Sequence, residues 1–364
     1  MPHLRTFRRL AVLTEGGLDI YRNKTAMSLL RFRPEDVVCV IDSKHVGMDL
    51  QRIAGVGQGI PIVSSVDEAL PLGIEWLVIG VATPGGFLPK NLRPQLYEAM
   101  RNKIGVISGL HESVDGDPNL VSLSARYAVE LVNLRKVPDE DQHTISTGKA
   151  RSVKALRVLT VGTDTNIGKT TTSLSLDRYL RLQKVKSRFV ATGQDGIMIT
   201  GRGLCIDRVI SDFCGGAVEK MILHEAKGAD VLVIEGQNSI LSPCYSGSAL
   251  SLLHGSCPDA MILCHAATRT MLRHTDVPVP PLARYIELYE AMLAPIHPGK
   301  VVAVAMNTSE LDDKAAAEAI RRAHDDTGLP VADLVREGEA GCKRIADAVL
   351  RVKRKQPSRR AAKG

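Results

Sequence analysis

The sequence predicts an α/β protein with two domains, each built on a parallel sheet covered by helices. The chain has 364 residues, which is more than one hydrophobic core usually organises. In both halves, short apolar segments alternate with amphipathic ones, the pattern of strands joined by crossover helices. A polar, turn-rich segment over residues 138–149 has no apolar period, and we place the domain boundary there. The predicted domains are 1–148 and 149–350, followed by a basic tail, 351–364.

The N-terminal domain is predicted to be Rossmann-like, with an open parallel sheet. Strands are predicted at residues 10–13, 37–41, 61–63, 76–81 and 104–107, and helices at 24–32 and 90–102. Asp42 follows the second strand, where dinucleotide-binding domains place an acid for the ribose. Because the first turn lacks Gly-x-Gly-x-x-Gly, we interpret Asp42 as a strand-end capping residue. Gly85, Gly86, Gly109 and His111 end later strands, where open sheets bind ligands.

The C-terminal domain is organised around a phosphate-binding loop. An apolar strand at 155–161 leads into Gly-Thr-Asp-Thr-Asn-Ile-Gly-Lys-Thr at 162–170, and an amphipathic helix follows. Backbone N–H groups at such a turn, and the positive end of the helix dipole, face an anion. Lys169 adds a positive charge, and Thr170 offers a hydroxyl to a metal ion or a phosphate oxygen. This arrangement predicts a doubly wound sheet of the P-loop NTPase type.

The loop departs from the usual pattern at its first glycine. That glycine normally lies five residues before Gly168, a position occupied here by Thr163, and Gly162 lies one residue earlier. We predict that the whole loop binds the phosphates of a cofactor, together with Asn307 at the end of a later strand. The predicted cofactor-binding residues are Gly162, Thr163, Asp164, Thr165, Asn166, Ile167, Gly168, Lys169, Thr170, Thr171 and Asn307.

Polar residues follow several predicted strands of the C-terminal domain and are expected to meet at one edge of its sheet. They are Asp164, Gln194, Asp195, Glu235, His265 and Asn307. Glu235 or Asp195 is suited to deprotonating an amine, and Glu235 with Thr170 to binding a metal ion. His265 by itself is typical of a structural histidine. Guanidinium groups that can pair with substrate carboxylates or phosphates belong to Arg208, Arg269 and Arg336.

The composition is that of an ordinary globular protein, with 44% hydrophobic and 24% charged residues. The net charge of +7 equals the charge of the seven basic residues in 351–364, so the rest of the chain is formally neutral. We predict that 351–364 is a disordered tail. We expect no nucleic-acid partner outside that tail, since no nucleic-acid-binding motif is found elsewhere, and we favour a solvated tail with no specific partner over one that touches nucleic acid or an anionic surface. No apolar run is long enough to span a membrane, and no signal sequence is found, so we expect a cytoplasmic protein. The seven cysteines have no metal-ligand spacing and are expected to be reduced.

Short motifs are distributed in order over roughly residues 10 to 340 of this sequence. They are Lys24-Thr25-Ala26, Leu30-Arg31, Gly85-Gly86, Ser108-Gly109-Leu110-His111, Gly162 to Thr170, Ala191-Thr192-Gly193-Gln194-x-Gly196-Ile197-Met198-Ile199, Asp212-Phe213 with Glu219, Glu235-Gly236-Gln237-x-Ser239, Leu252-Leu253-His254-Gly255 and Asn307-Thr308. This series resembles a two-domain family, formerly of unknown function, that includes the D-glutamate N-acetyltransferases. The loop is also similar to that of the dethiobiotin synthetases.

The resemblance implies transfer of an acetyl group from acetyl-coenzyme A to the amine of an acidic D-amino acid. The loop would then bind coenzyme A phosphates, and Glu235, or second Asp195, would accept the ammonium proton. His265 or backbone N–H groups would stabilise the oxyanion. The implied substrate-binding residues are Gln194, Gln237, Arg208 and Arg269. The family usually has small uncharged residues where this chain has Asp195 and Asn238, so the acceptor can differ.

Two other functions stay open at this point. One is an ATP- and Mg²⁺-dependent kinase or ligase acting on a small carboxylic acid, in which Thr170 and Glu235 bind the metal ion. The other is a nucleotide-sensing protein without chemistry. For any of these functions we expect a small-molecule substrate or ligand, no membrane partner, and a homo-oligomer.

Overall fold

The computed structural model describes residues 7–18 and 23–355. Its strands are β1 (Leu10–Leu13), β2 (Val37–Ile41), β3 (Ile62–Val63), β4 (Trp76–Ile79), β5 (Gly105–Ser108), β6 (Leu131–Asn133), β7 (Leu156–Gly162), β8 (Ser187–Val190), β9 (Val231–Ile234), β10 (Ala260–Ala266), β11 (Lys300–Asn307) and β12 (Val331–Ala332). Its helices are α1 (Lys24–Phe32), α2 (Leu50–Ala54), α3 (Val66–Ala69), α4 (Arg93–Arg101), α5 (Pro118–Tyr127), α6 (Lys169–Leu182), α7 (Gln194–Thr200), α8 (Ser211–Glu225), α9 (Ser246–Ser256), α10 (Leu282–Leu293), α11 (Asp313–Thr327) and α12 (Glu339–Lys355).

These elements form two compact units. The first contains the described residues up to Lys136 together with Gly193–Arg208. The second contains Val137–Thr192 and the described residues from Val209 onward. The chain therefore leaves the second unit after β8 and returns to it before α8. The predicted boundary at residue 148 had placed Gly193–Arg208 in the C-terminal domain, whereas the structure assigns this segment to the first unit.

The segment Gly193–Arg208, which includes α7, packs with elements of the first unit. The guanidinium of Arg33 donates a hydrogen bond from Nη1 to the carbonyl oxygen of Met198 over 2.9 Å. The thiol of Cys205 donates to the carbonyl oxygen of Leu134 over 3.4 Å. These contacts join residues far apart in sequence, so composition and periodicity give no sign of them.

The first unit contains one parallel sheet with the strand order β3-β2-β1-β4-β5-β6. β1 lies in the middle, with Leu13 opposite Ile41 of β2 and opposite Ile79 of β4. The strand order therefore reverses between β1 and β4, which makes their carboxyl ends the usual place for a ligand. This order confirms the Rossmann-like prediction. β6, a strand of three residues at the edge of the sheet, was not predicted.

The second unit contains another parallel sheet, with the order β12-β11-β10-β7-β9-β8. β7 is buried along its whole length and lies between β9 and β10, with Leu159 opposite Ile234 and Val161 opposite Leu263. The order reverses beside β7, so the phosphate-binding loop that follows β7 lies at the switch point of this sheet. This confirms the doubly wound P-loop prediction.

The C-terminal end of the described chain is helical, which differs from the prediction of a disordered tail from residue 351. α12 continues to Lys355, and its apolar face packs through Ile345 and Val349, both fully buried. That packing keeps the chain helical into the basic segment. Residues 356–364 of the predicted tail lie outside the described residues. Within the ranges 7–18 and 23–355, no helix is long and apolar enough to cross a membrane.

The cysteines are free thiols, and all except Cys244 are buried. Burial raises the pKa of Cys39 to about 12 and the pKa of Cys264 to about 11. Both thiols are therefore protonated near neutral pH and behave as small apolar side chains. Their environment agrees with the expectation of reduced core cysteines.

A buried carboxylate holds residues 144–150 against α8. Glu219 of α8 is only 4% exposed and accepts hydrogen bonds of 2.8 Å from both the backbone N–H and the hydroxyl of Thr147. Burial alone would raise the pKa of Glu219, but these bonds and backbone N–H groups of the same segment outweigh it and lower that pKa. A Cβ at Gly216, one turn earlier, would overlap the carbonyl group of Thr144. The segment and the helix are therefore closely packed.

We expect Glu219→Gln to lower the free energy of unfolding by about 1–3 kcal/mol near neutral pH, because a neutral amide replaces an acceptor of several buried donors. The folded-state pKa of Glu219 lies below its unfolded value. Its contribution to stability is therefore complete above the unfolded pKa and is lost as the pH falls through the folded pKa. Urea unfolding of both proteins should show the difference shrinking as the pH falls from about 6 to about 3. Exposed Glu318→Gln serves as the control, and a difference that stays constant with pH would contradict the assignment.

Candidate phosphate-binding site

The loop between β7 and α6 has the backbone of a phosphate-binding turn. Gly168, which caps α6, has a φ of +104°, and Asn166 has a φ of +57°. Glycine adopts such angles freely, and asparagine is enriched there among other residues. A Cβ at Gly162 would lie 2.9 Å from Cδ1 of Ile167 and 3.0 Å from Nζ of Lys169. The early glycine thus leaves room for the side chains of Ile167 and Lys169 to lie against the start of the loop.

The charged residues of the loop are held by internal contacts. Lys169 is 6% exposed, and its Nζ donates to the carbonyl oxygen of Asp164 over 2.6 Å. The carboxylate of Asp164 is fully buried. Its Oδ1 accepts from the N–H of Thr165 at 2.7 Å, and its Oδ2 accepts from Arg269 Nη1 and from the N–H of Arg273, both at 2.8 Å. Arg269, predicted to bind substrate, therefore also supports the loop through an ion pair with Asp164.

Two tyrosines of α10 fix the start of the loop. The hydroxyl of Tyr289 donates to the carbonyl oxygen of Gly162 over 2.8 Å and accepts from the N–H groups of Gly162 and Ile240. The hydroxyl of Tyr285 donates to the carbonyl oxygen of Thr163 over 2.8 Å. Both rings are buried. The sequence analysis did not identify them, because two tyrosines four residues apart on a helix resemble ordinary core residues.

Glu235, which directly follows β9, connects α6 to the chain after β8. Its Oε1 accepts from the hydroxyl of Thr170 at 2.7 Å, and its Oε2 accepts from the N–H of Thr192 at 3.0 Å. The hydroxyl of Thr192 donates to the backbone oxygen of Glu235 and accepts from Nε2 of Gln237 at 3.1 Å. Glu235 is 1% exposed. The structure therefore brings together Thr170, Glu235 and Gln237 among the predicted site residues.

His265 lies at the end of β10 beside the loop. Its Nδ1 is 2.9 Å from the hydroxyl oxygen of Thr163. Burial, followed by the positive charge of Arg269, lowers the pKa of His265 to about 4. The imidazole is therefore neutral near neutral pH, so it is suited to donating a hydrogen bond rather than to carrying a positive charge.

Asn307 ends β11 next to the far end of the loop. Its Cβ is 3.9 Å from the position that a Cβ on Gly168 would occupy, and its Oδ1 accepts from the N–H of Ser309 at 3.1 Å. Arg336, proposed from the sequence as an anion partner, instead donates to the carbonyl oxygens of Thr308 (3.0 Å) and Leu311 (2.6 Å). Its guanidinium thus organises the chain after β11.

Three predicted site residues belong to the first unit. Asp195 accepts a hydrogen bond of 2.5 Å from the hydroxyl of Thr25 and pairs with Nζ of Lys24 at 3.1 Å. Oε1 of Gln194 accepts from Nη2 of Arg135 at 2.8 Å. Arg208 is the last residue of the segment that belongs to this unit. Lys24 and Thr25 were noted only as a family motif, and Arg135 was not noted at all.

The Thr170 hydroxyl and the Glu235 carboxylate, 2.7 Å apart beside the loop, are oxygen ligands of the kind that a magnesium ion prefers. Among the residues that the structure describes, no group of three or more His, Cys, Asp or Glu side chains is placed to hold a metal ion. Mg²⁺ commonly binds one or two protein oxygens together with phosphates and water. The pair therefore fits a magnesium ion that arrives with a phosphorylated ligand.

A Rossmann-like unit and a unit with this loop at its switch point define a two-domain α/β protein of the P-loop class. A family model described as a domain of unknown function, DUF1611_C P-loop domain, matches residues 144–343. The model of the DUF1611_N Rossmann-like domain matches residues 43–137. The chain belongs to the DUF1611 family.

Relatives with known names or structures are similar over most of the chain. A D-glutamate N-acetyltransferase from Pseudoalteromonas sp. is 37% identical over 86% of this chain and 91% of its own length. Another from Tritonibacter scottomollicae is 33% identical over 92% of this chain and 96% of its own length. The crystal structure of a DUF1611 family protein from Anabaena variabilis is 38% identical, with a TM-score of 0.87, and the match covers 94% of this chain and 99% of that one.

We expect Tyr289→Phe to lower the free energy of unfolding by about 1–3 kcal/mol, because it removes the hydroxyl that serves three backbone groups near the loop. Chemical denaturation of the purified protein measures this change. Tyr245, a residue that is 48% exposed, provides the matched control, and Tyr245→Phe should change stability by less than about 0.5 kcal/mol. Equal effects of the two substitutions would show that the Tyr289 hydroxyl does not support the loop.

Proposed function

We propose that this protein transfers an acetyl group from acetyl-coenzyme A to the amine of an acidic D-amino acid similar to D-glutamate. The observation that supports this most is the similarity to two curated D-glutamate N-acetyltransferases over 86% and 92% of this chain. It therefore extends over the phosphate-binding unit and the Rossmann-like unit alike. The loop geometry agrees with a ligand that carries several phosphates.

Acetyl-coenzyme A would supply an acyl group activated as a thioester. The backbone N–H groups of the loop, the N-terminus of α6 and the Lys169 ammonium form a cradle for its phosphates. Lys169 would exchange its bond to the carbonyl oxygen of Asp164 for a phosphate oxygen, which is the stronger, charge-assisted interaction. Asn307 beside Gly168 would contact the nucleotide part of the cofactor.

The acceptor amine enters as an ammonium ion and must lose a proton before it can attack. Glu235 is our first choice as the proton acceptor, and Asp195 is the second. The neutral amine would then form a C–N bond with the thioester carbonyl carbon as the C–S bond breaks, and the second proton lost by the attacking nitrogen would pass to the departing sulfur. The neutral imidazole of His265 would donate a hydrogen bond to the carbonyl oxygen, where negative charge develops. The sequence-based assignment of substrate contacts to Gln194 and Arg208 in the first unit, and to Gln237 and Arg269 in the second, stays a prediction.

The test is a turnover assay with acetyl-coenzyme A and a panel of D- and L-amino acids, in which thiol release and acetylated products are measured. We expect one thiol per molecule of acetylated acidic D-amino acid. Lys169→Met should raise the KM for acetyl-coenzyme A by about tenfold or more, because a charge-assisted hydrogen bond to phosphate is lost. Lys186→Met, which changes an exposed lysine before β8, is the control. Absence of thiol release with every amino acid would refute the proposal.

We expect Glu235→Gln to lower kcat by about 10²- to 10⁴-fold, because the amide cannot accept the ammonium proton. The Thr170 hydroxyl both donates and accepts hydrogen bonds, so the isosteric amide can be held in place. Asp195→Asn is the parallel variant for the second choice. Wild-type turnover in Glu235→Gln together with a large loss in Asp195→Asn would transfer the role of base to Asp195.

A second candidate function is ATP- and Mg²⁺-dependent activation of a small carboxylic acid. The 2.7 Å contact between the Thr170 hydroxyl and the Glu235 carboxylate favours it, because P-loop enzymes place such a pair at their magnesium ion. Incubation with ATP, Mg²⁺ and the same panel of acids distinguishes the two functions. Formation of ADP or AMP that depends on an acid, abolished in Thr170→Val and absent without Mg²⁺, would establish phosphoryl or nucleotidyl transfer in place of acetyl transfer.

A further inference from the structure

The side-chain amide of Asn23 is fully buried and lacks hydrogen bonds. Its exposure is 0%, and among the described residues neither Nδ2 nor Oδ1 has a partner. Asn23 directly precedes α1, and its side chain accepts no capping hydrogen bond from the N–H groups at the helix start. Buried polar groups in folded proteins are almost always hydrogen-bonded, so an unpaired amide requires an explanation. A ligand with complementary donors or acceptors would provide one.

The amide lies at the switch point of the first sheet. A Cβ at Gly17, in the turn after β1, would lie 3.2 Å from Nδ2 of Asn23. The N–H of Ala26 in α1 donates to the carbonyl oxygen of Gly80, directly after β4, over 3.2 Å. This hydrogen bond holds the start of α1 against the carboxyl end of β4. The strand order of the sheet reverses there, between β1 and β4. Open α/β sheets bind their ligands at this position.

The residue after Asn23 in the chain, Lys24, forms an ion pair. The Nζ atom of Lys24, whose side chain is 37% exposed, is 3.1 Å from Oδ2 of Asp195. The other oxygen of Asp195 accepts from the Thr25 hydroxyl at 2.5 Å. An ammonium group has three donors, so Lys24 can bind a second oxygen without leaving Asp195. The pair thus offers one positive and one negative partner to a zwitterion.

A second polar group in the same unit contains His111. Its Nε2 is 3.6 Å from Oδ2 of Asp207, which also accepts from the guanidinium of Arg135. A Cβ at Gly86, in the turn after β4, would lie 2.6 Å from Cβ of His111. Desolvation, followed by the charges of Arg135, Arg208 and Lys24, lowers the pKa of His111. The Asp207 carboxylate acts in the opposite direction but does not outweigh these effects, so the imidazole is neutral near neutral pH.

The carboxyl ends of the strands in the first sheet do not suit a dinucleotide. The acid expected to bind its ribose, Asp42, is fully buried and committed to the chain around it. Its Oδ2 accepts from the Thr14 hydroxyl at 2.8 Å, and its Oδ1 accepts from the N–H of Lys44 and lies 2.8 Å from Nδ1 of His45. A small acid that bears both a carboxylate and an ammonium group matches the donors and acceptors better.

We propose that the switch point of the first unit binds the acceptor amino acid, with Asn23 and Lys24 contacting its carboxylate groups and Asp195 its ammonium group. This inference rests on the proposed function. A carboxylate of the zwitterionic amino acid would pair with Lys24, and its ammonium group would pair with Asp195. Neither of these two charges would then be left unpaired. It would also satisfy the Asn23 amide. His111 lies in the same unit at the end of β5 and would add a neutral hydrogen-bonding group.

The binding test uses isothermal titration calorimetry of the full-length protein with D-glutamate, with and without coenzyme A. We expect Asn23→Leu and Lys24→Met each to weaken D-glutamate binding by about tenfold or more, because each removes buried or charged partners of a carboxylate. Lys103→Met, at the amino end of β5, is the control and should change affinity by less than about twofold. Glutarate, which lacks the amine, should bind about tenfold more weakly than D-glutamate, since it cannot pair with Asp195.

Thermal unfolding separates binding from folding. Leucine has the same branching as asparagine but no unpaired polar atoms, so Asn23→Leu should keep or raise the melting temperature while it loses D-glutamate binding. In turnover assays the variants should raise the KM for D-glutamate and leave the KM for acetyl-coenzyme A within about twofold of wild type. A lower melting temperature with unchanged D-glutamate affinity would show that Asn23 is purely structural and would overturn the inference.

The outcomes distinguish this inference from the proposed function. D-glutamate binding that is lost in both variants supports the site even if no acetyl transfer is detected. Acetylation of D-glutamate with wild-type affinity and KM in both variants overturns the site while the proposed function stands. Equal affinities for glutarate and D-glutamate overturn the assignment of Asp195 to the ammonium group. A wild-type protein that neither binds nor acetylates any acidic amino acid refutes both proposals.

Discussion

The hydrogen bonds of Glu235 determine the geometry of the phosphate-binding unit. The carboxylate follows β9, yet its partners are Thr170 at the start of α6 and Thr192 after β8. The next residue, Gly236, donates from its N–H to the hydroxyl of Thr160 in β7, and a Cβ there would overlap the Thr160 carbonyl oxygen. Three strand ends and the start of a helix are therefore fixed together. The position of Thr170, and with it the end of the loop, depends on this one side chain.

The other end of the loop is fixed independently of Glu235. Tyr289 binds the backbone of Gly162, and the buried carboxylate of Asp164 is neutralised by Arg269. A buried carboxylate is tolerable only with such charged and N–H partners. The loop is thus preorganised at both ends, so a phosphate ligand need not order it. Lys169 belongs to this preformed loop, with Nζ donating to the carbonyl oxygen of Asp164 over 2.6 Å.

Sequence reasoning found the features that depend on local order and missed those that depend on distant contacts. The loop, both sheets and the pairing of Thr170 with the acid after β9 follow from apolar strands and spacing. The assignment of Gly193–Arg208 to the first unit does not, because it arises from contacts such as Arg33 with Met198. Tyr285 and Tyr289 support the loop through their hydroxyl groups, which bind its backbone. Their buried rings give the sequence pattern of ordinary core residues. Nothing in the sequence marks Asn23 as a buried amide without partners.

The sequence analysis expects departures from the family pattern at Asp195 and Asn238, and the structure places these two residues in different settings. Asn238 has a φ of +52°, a conformation that asparagine tolerates better than most residues, and its Nδ2 donates to the Ser248 hydroxyl over 2.6 Å. It is therefore explained by the shape of a turn. Asp195 instead adds a carboxylate beside Lys24 and Thr25, which changes the charge offered to a ligand. If this chain prefers an acceptor different from that of its relatives, the cause is to be sought at Asp195 and not at Asn238. A small uncharged residue at position 195 would leave the Lys24 ammonium without this partner, so the two positions must be varied together to decide the point.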